Sequence, residues 1–544
     1  MFEWKNFEVH KNIFSQSGSD LYRTDQGQHH VKIRPRDLIR WVELLKDDLH
    51  YLTLVEIASV DRFSTEEGHK YQFELAYVLF NMGSHQRINL FVEFNAGEVI
   101  PSISDYFVHA DWMQREQAEM LGICFEPGPA PLLFPAGAEF YPLRKNGKYQ
   151  GWASENPMPI PELPKNPNKS EDSYPQESWV WKRFSPMKEE TRGLFEWLVC
   201  FDPVRVVDSQ SRIGFHHLGW ERILQNKSWN QILQLVDLIN PGAAPTYAVA
   251  WAKNLEEVLR IKLPERAQAI RIVMLELARI ADHLTVLHEI AWSLNKNEHL
   301  LFIDAREKIF ELFEKYNGQR LAKNLVCLGG VREDLPHGWI NEYQVVAEIL
   351  KKNLRLIHNS LLGQRDFRMM LDHSGVNAQI VLHWGVGGPA MRASGLNFDL
   401  RKSQPFYFYQ DIDFDVPVGI NGTSYDRYLI RYEEIHQSLR IINQVLDNLP
   451  LGEVKNPAFA SSHLELNKSL GLPASWHYAS LEGPNGEAGF YHLSSERSNP
   501  VRLKIKSPSF TIVQALPEFI KGLKENQLGS ALASLGIRRT ELDR

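Results

Sequence analysis

Thiols, imidazoles and glycine-rich turns are the groups that most often carry chemistry, and here their spacing argues against much of it. The three cysteines, Cys124, Cys200 and Cys327, lie far apart and none belongs to a CxxC pair. Iron–sulfur and thiolate metal sites need closely spaced thiols, so these read as isolated small hydrophobes. His216 and His217 look like a ligand pair. Neighbours on an extended segment point to opposite faces, however, which favours a satisfied structural role for His217. The run Gly385 to Gly388 (GVGG) follows a Trp and lacks the strand–GxGxxG–helix setting of a nucleotide loop. No metal and no nicotinamide site are expected on this chain, and no independent nucleophile or phosphate motif emerges.

The elements that would position a site follow from length and periodicity. A chain of 544 residues exceeds one core and reads as two or three domains. Hydrophobic residues at 43% and charged residues at 23% are those of a globular protein. A formal charge of -7 without a long basic run argues against nucleic acid. No window has the roughly 20 apolar residues that span a bilayer, and MFEWKNFEVHKN is not laid out as a signal peptide, so the expected location is cytoplasmic or peripheral to a membrane.

Residues 1–127 combine a helical stretch (DLIRWVELLKDDL), three strand-like runs (YLTLVEIASV, QFELAYVLF, RINLFVEF) and a second helical stretch near Asp111 to Leu121, a small α/β domain. Residues 128–185 are rich in Pro, Asn, Lys, Ser and Glu and read as an extended linker. The remainder, 186–544, opens with an antiparallel pair (LFEWLVCFD, VRVVDSQ). It continues through long amphipathic helices (PERAQAIRIVMLELARIADHLTVLHEIAWSL, AREKIFELFEKYNGQRL, YDRYLIRYEEIHQSLRIINQVLDNL) and closes with GFYHLSS, VRLKIKS and two short helical segments. The fold class is therefore α+β multidomain: a small α/β domain, then a hairpin region, a long-helix bundle core and a small C-terminal α+β part.

Several ordered motifs point to one family. Trp112-MQRE-QAEMLGI-Cys124-Phe125 and YPLRK (Tyr141 to Lys145) resemble the signature and closing motifs of the C-type component of complex I, with Gln114 where an acid is usual and no Gly-His-Pro after Phe125. RIGFHHLGWER (Arg212 to Arg222) is similar to the D-type motif IGYLHRGxEK. LPERAQAIRIVMLELARIADHL is similar to the helix ending in Ser-Arg-x-x-Ser-His-Leu, keeping Arg266, Arg271, Glu276, Arg279 and His283. GGVREDLP, RASGLNFDLRK, FDVPVGINGTSYDRYLIR and SPSF follow in the family's order. The chain resembles a fused C/D subunit (30 kDa/49 kDa type) of the complex I, or NADH:quinone oxidoreductase, and group 4 membrane-bound [NiFe]-hydrogenase superfamily.

The resemblance implies two chemistries, and the residues depart from both. Nickel–iron sites need two CxxC pairs. Aligned on Tyr247, the first pair falls on Val236 and Ile239, and aligned on Asp543-Arg544 the second falls on Arg538 and Glu541, so hydrogenase activity is rejected. The quinone site of complex I implies a His on a hairpin, written GPQHPxxHG, and a Tyr at the start of the first long helix. Here the hairpin reads SPMKEETRG, with Lys188 and Arg192 for the histidines, and the tyrosine position is Leu238 or Asp237. The general-acid arrangement is lost, although Arg192 can still hydrogen-bond a carbonyl.

Lys188, Arg192, Asp237, Leu238, Arg538 and Glu541 are thus the cavity candidates. Arg538 and Glu541, spaced i, i+3, are either an ion pair filling the metal position or a solvated tail. Arg266, Arg271, Glu276, Arg279 and His283 are either an inherited buried network facing an iron–sulfur subunit or surface pairs at helical spacing.

The resemblance implies a peripheral-arm subunit of a membrane-bound oxidoreductase complex. It would couple electron transfer from a small iron–sulfur partner, similar to the B-type component of complex I, to membrane ion-translocating subunits. The chain itself would bind no cofactor and would contact quinone atypically. The alternative is a non-catalytic scaffold that couples ion movement with no redox chemistry at this site.

Overall fold

A computed structural model describes residues 20–23, 29–62, 71–134, 140–145, 178–188, 191–321, 323–362, 364–457 and 470–544. Packing divides the chain into two units, one of residues 1–160 with Leu382–Gly385, the other of the remaining residues. Most of the 128–185 stretch lies outside the described residues.

In the first unit, β1 (Asp20–Arg23), β2 (His29–Ile33), β3 (Thr53–Asp61), β4 (Phe73–Asn81) and β5 (Gln86–Phe94) form a five-stranded sheet of order β1-β2-β5-β4-β3. Only β2 and β5 run parallel in it. The strands β3, β4 and β5 are the three hydrophobic runs of the sequence, and a helix α1 (Leu38–Glu43) adds Leu38, Trp41 and Val42 to their core. A second helix, α2 (Ala110–Leu121), packs on β3, where Ser59 Oγ donates to Gln117 Oε1 at 2.6 Å. Gln114, at the position where an acid is usual, is buried and accepts from Ser102 Oγ at 2.8 Å. The YPLRK motif folds back on the helix end: Arg144 Nε donates to Leu121 O (2.8 Å), and its guanidinium sits 4.5 Å over the Tyr141 ring. Gly122 ends α2 at φ +70, and a Cβ there would lie 2.7 Å from Tyr141, so the motif requires this glycine.

The second unit begins with β6 (Val180–Phe184), β7 (Glu196–Phe201) and β8 (Val206–Arg212), an antiparallel sheet of order β8-β7-β6. The pair β7 and β8 was legible from the pattern. The third strand, β6, lies inside the stretch read as linker, because its short, mostly exposed segment gains strand character only from pairing with β7.

The core beyond this sheet is helical: α3 (Ala244–Leu259), α4 (Glu265–Ser293), α5 (His299–Asn317) and α6 (Trp339–Ile357) precede the short α7 (Gly388–Ala393) and α8 (Leu400–Ser403), then α9 (Ser424–Asp447). The helix α4 begins directly after Pro264 and is buried nearly all round from Ala267 to Ala291, with α5, α9 and α10 (Leu528–Leu535) packed against it. A Thr423–Asp426 capping box starts α9. β9 (Trp476–Gly483), β10 (Gly486–Leu493) and β11 (Arg502–Lys506) make an antiparallel sheet whose first hairpin turns at Pro484-Asn485, and α11 (Arg539–Leu542) follows α10. The strand β9 is not apparent from patterning alone. Gly388 opens α7 against that hairpin: a Cβ would lie 2.4 Å from Asn485 O, so this glycine serves close packing, and no phosphate loop forms.

Candidate functional site

Asp282 and Glu289 lie seven residues apart on α4 and so face the same side of the helix. Arg538 binds both. Its Nε and Nη2 each reach an Asp282 oxygen at 2.9 Å, and Nη1 lies 3.4 Å from Glu289 Oε1. Arg192 takes the other oxygen of Glu289, with Nη1 at 3.0 Å, while Nη2 donates to Glu289 O and Gly529 O. On the inner side, Asn485 Nδ2 donates to Asp282 Oδ1 (2.8 Å) and its Oδ1 accepts from Arg431 Nη2 (3.2 Å). The result is a ladder from the partly exposed Arg192 and Glu289 inward to the buried Asp282, Asn485 and Arg431. Burial alone would raise the Asp282 carboxyl, but the Arg538 guanidinium holds it below the usual carboxylate range. Burial and neighbouring guanidinium charges pull Arg427 and Arg431 down, to about 9 and about 10, with Asp426 opposing at Arg427 and Glu434 and Asp282 opposing at Arg431.

Glu541 is satisfied by neutral donors, Asn240 Nδ2 at 2.9 Å and Ser509 Oγ at 2.6 Å, and burial pushes its carboxyl up to about 7. Ser509 Oγ also accepts the Arg538 backbone N–H at 3.0 Å, which links Glu541 to the ladder. Thr540 Oγ1 donates to Ile239 O, so the two segments aligned with the lost thiolate pairs meet in space. Val236 and Ile239 themselves are fully buried in the aliphatic core. The i, i+3 ion pair between Arg538 and Glu541 does not form, and neither residue is a solvated tail. Arg538 turns instead to the better acceptor, an ionised Asp282.

The other candidates stand apart. Lys188 is exposed, and its backbone shapes the turn: its N–H donates to Ser185 O (3.0 Å) and its carbonyl accepts from Arg192 N (3.1 Å) and Thr191 Oγ1 (2.9 Å). Asp237 is buried but turned toward Asn324 N (2.7 Å), and burial raises it to about 7. Leu238 packs at the edge of the helical core. His216 Nε2 meets Gly193 O at 2.6 Å and His217 Nδ1 accepts from Gly219 N at 3.1 Å, structural roles for both. Among the described residues no group of three His, Cys, Asp or Glu side chains could hold a metal ion.

The five charged residues of α4, read as either one buried network or surface pairs, divide into three groups. Arg266 is partly exposed and pairs with Asp334 at 2.9 Å. Arg271 is buried on Glu256. Glu276, Arg279 and His283 enter one buried network with Arg392, Asp399, Arg401, Glu434 and Glu482. Arg401 binds Glu276 (3.1 Å) and Asp399 (2.7 Å), and Arg392 binds Glu434 (2.7 Å) and Glu482 (2.8 Å). Arg279 donates to Glu482 O and Gly483 O, and His283 Nε2 meets Glu434 Oε2 at 2.7 Å. Burial would raise Glu434, but Arg392 and the His283 hydrogen bond hold it well below the carboxylate range, while burial lowers His283.

Sequence reasoning missed Asp282, Glu289 and Asn485. The helical period placed Asp282 and Glu289 on one face, and the Gly-Pro-Asn-Gly turn marked the hairpin that carries Asn485.

Comparison with known proteins places these features in a family. Residues 31–152 match the family model described as respiratory-chain NADH dehydrogenase, 30 Kd subunit, and residues 297–544 match the 49 Kd subunit model. The chain is 31% identical over 540 residues to the C/D subunit of the NADH-quinone oxidoreductase of Bdellovibrio bacteriovorus, covering 95% of both chains. It is 29% identical to that of Shewanella woodyi over 90% of this chain and 88% of that one. For Serratia proteamaculans the identity is 28%, over 98% and 96%.

Proposed function

Because the chain belongs to the family of fused C/D subunits of NADH-quinone oxidoreductases, we propose that it serves as a peripheral-arm subunit of such a complex, carrying the surface at which a quinone-type acceptor is reduced. The observation behind this is the match along 95% of both chains to a relative of that name. Electrons come from an iron–sulfur cluster in a small partner subunit, and the energy passes to membrane ion-translocating subunits. The chain docks on the cytoplasmic face, and none of its described helices is long and apolar enough to cross a membrane.

Within the site, Arg192 is the group that meets the acceptor. Its guanidinium lies at the outer end of the ladder, held by Glu289, and can donate to a quinone carbonyl without giving up a proton. A quinone becomes a quinol by gaining two electrons and two protons. The carboxyl of Glu541, at about 7, is poised to exchange a proton near neutral pH, which Arg192 is not. The network of Glu276, Arg279 and His283 ties α4 rigidly to α9 and β9, which keeps the ladder in register.

The test is purification through a tag on this chain, with identification of the co-purifying subunits and assay of NADH:quinone turnover. An iron–sulfur partner, membrane subunits and inhibitor-sensitive turnover are expected. Co-purification with no turnover of any quinone analogue would favour the scaffold alternative, and the absence of both partners would sink the assignment.

A further inference from the structure

In the hydrogenase branch the position of Arg538 belongs to a metal-binding thiolate, and in the helix motif the position of Asp282 belongs to the second Ser of Ser-Arg-x-x-Ser-His-Leu. Both positions depart from the pattern, and the structure shows the departures to be partners. Arg538 is bidentate on Asp282 at 2.9 Å and 2.9 Å, and Asp282 is 1% exposed. The pair is held from every side: Asn485 on Asp282, Glu289 on the outer edge of Arg538, and Ser509 on the Arg538 backbone. Side-chain exposure is 26% for Glu289, 15% for Arg538, 14% for Arg192 and 1% for Asp282, so Glu289 is the outermost member and Asp282 the innermost. An object entering along the Glu289 edge, which Arg192 and Arg538 both contact, therefore meets the Arg538 guanidinium before it meets Asp282.

A planar guanidinium fixed by two charge-assisted hydrogen bonds is a rigid filler. Neither member is tolerable alone, since removal of one leaves the other buried without its counter-charge, whereas removal of both leaves no charge behind. Matched loss and gain of this kind is what a built-in occupant requires.

Resting on the reading that the acceptor is a quinone, we propose that the Arg538–Asp282 ion pair occupies the vacated inner position and bars a quinone-sized ring from it, holding the acceptor at the Arg192–Glu289 rim. The pair is then a specificity determinant and takes no part in the chemistry.

The experiment uses the assembled complex carrying Asp282→Ser, Arg538→Val, or both, with two readouts: thermal stability, and equilibrium binding of a decyl-substituted benzoquinone. Each single substitution is expected to lower stability and the double to recover most of the loss. The double is also expected to bind the benzoquinone about tenfold tighter than wild type, a change of about 1.4 kcal/mol. A double variant no more stable than the worse single overturns the pairing, and a stable double with unchanged binding overturns the exclusion. Turnover of the wild-type complex reports separately on the functional reading, because neither the stability rescue nor the binding depends on it.

Discussion

Arg271 and Glu256 form a buried bidentate ion pair that joins three elements of the helical core. Arg271 Nη1 and Nη2 reach the two oxygens of Glu256 at 2.8 Å each, from α4 to α3, and Nη2 also donates to Cys327 O (2.9 Å) and Gly330 O (2.8 Å) of the hairpin between α5 and α6. Both side chains are buried, and Glu256 Oε1 takes the Gly329 N–H as well. Arg271→Met therefore leaves a buried carboxylate without its counter-charge and should cost about 3–5 kcal/mol. The expected result is loss of soluble chain or a thermal midpoint lowered by many degrees. An unchanged melting curve would show the pair to be dispensable.

Asp237 gives a pH dependence of defined sign. Its usual value of 3.8 is raised to about 7 by burial, against the opposing Asn324 N–H, Lys323 and Arg332. Because the folded state holds this proton more tightly than the unfolded chain, the stabilisation is complete below about 3.8 and is lost as the pH rises through about 7. Asp237→Asn keeps an oxygen for Asn324 N and never ionises, so it should gain a few kcal/mol at pH 8 relative to wild type and almost nothing near pH 4. Thermal melts of both proteins at those two pH values decide the point, and parallel curves at both would refute it.

The sequence was most legible where a periodic pattern repeats. Ile270, Val273, Met274, Leu277, Ile280, Ala281 and Leu284 marked α4 at spacings of three and four, and the structure buries all of them. What periodicity does not reveal is whether the charges between them face water. Arg271, Glu276, Arg279 and His283 are buried because Glu256, Arg401, Glu482 and Glu434, from distant segments, converge on them. The same limit applies to β6, which exists through pairing with β7. The site was legible in part: Arg192, Arg538 and Glu541 were singled out from positions of loss. Asp282 is a departure within its helix motif and Glu289 lies beyond the motif, and their role appears only once Arg538 is seen to lie across them.

His492 predicts the opposite pH behaviour from Asp237. It is fully buried among Trp229, Trp251 and His477, with ring centroids 5.2, 5.9 and 6.0 Å away, and neither ring nitrogen has a hydrogen-bond partner. Burial, then the His477 charge, lowers it well below its ordinary 6.5. The unfolded chain then takes up the proton first, so stability is present above about 6.5 and falls as the solution is acidified below it. His492→Phe keeps a ring in the aromatic box and removes two unsatisfied polar atoms, which should stabilise the chain by about 1–3 kcal/mol at neutral pH. It should also flatten this part of the decline between pH 6.5 and 5. Denaturant titrations at pH 5 and pH 7.5 would expose the error if the variant tracked wild type at both.

Arg192 is placed by its backbone as much as by its side chain. Its φ of +52 is left-handed, a conformation that costs a non-glycine residue roughly 1–2 kcal/mol, and the guanidinium contacts with Glu289 Oε2, Glu289 O and Gly529 O offset that cost. Arg192→Lys keeps the charge but has one nitrogen where three acceptors are served by two, so the side chain no longer holds one orientation. If Arg192 only binds and orients the acceptor, the Michaelis constant for quinone should rise about three- to tenfold, equivalent to roughly 0.7–1.4 kcal/mol, while turnover at saturating quinone changes little. The pH profile of turnover should also stay in place, because neither guanidinium nor ammonium gives up a proton near neutrality. A large fall in turnover at unchanged Michaelis constant, or a displaced pH profile, would instead make Arg192 part of the proton chemistry.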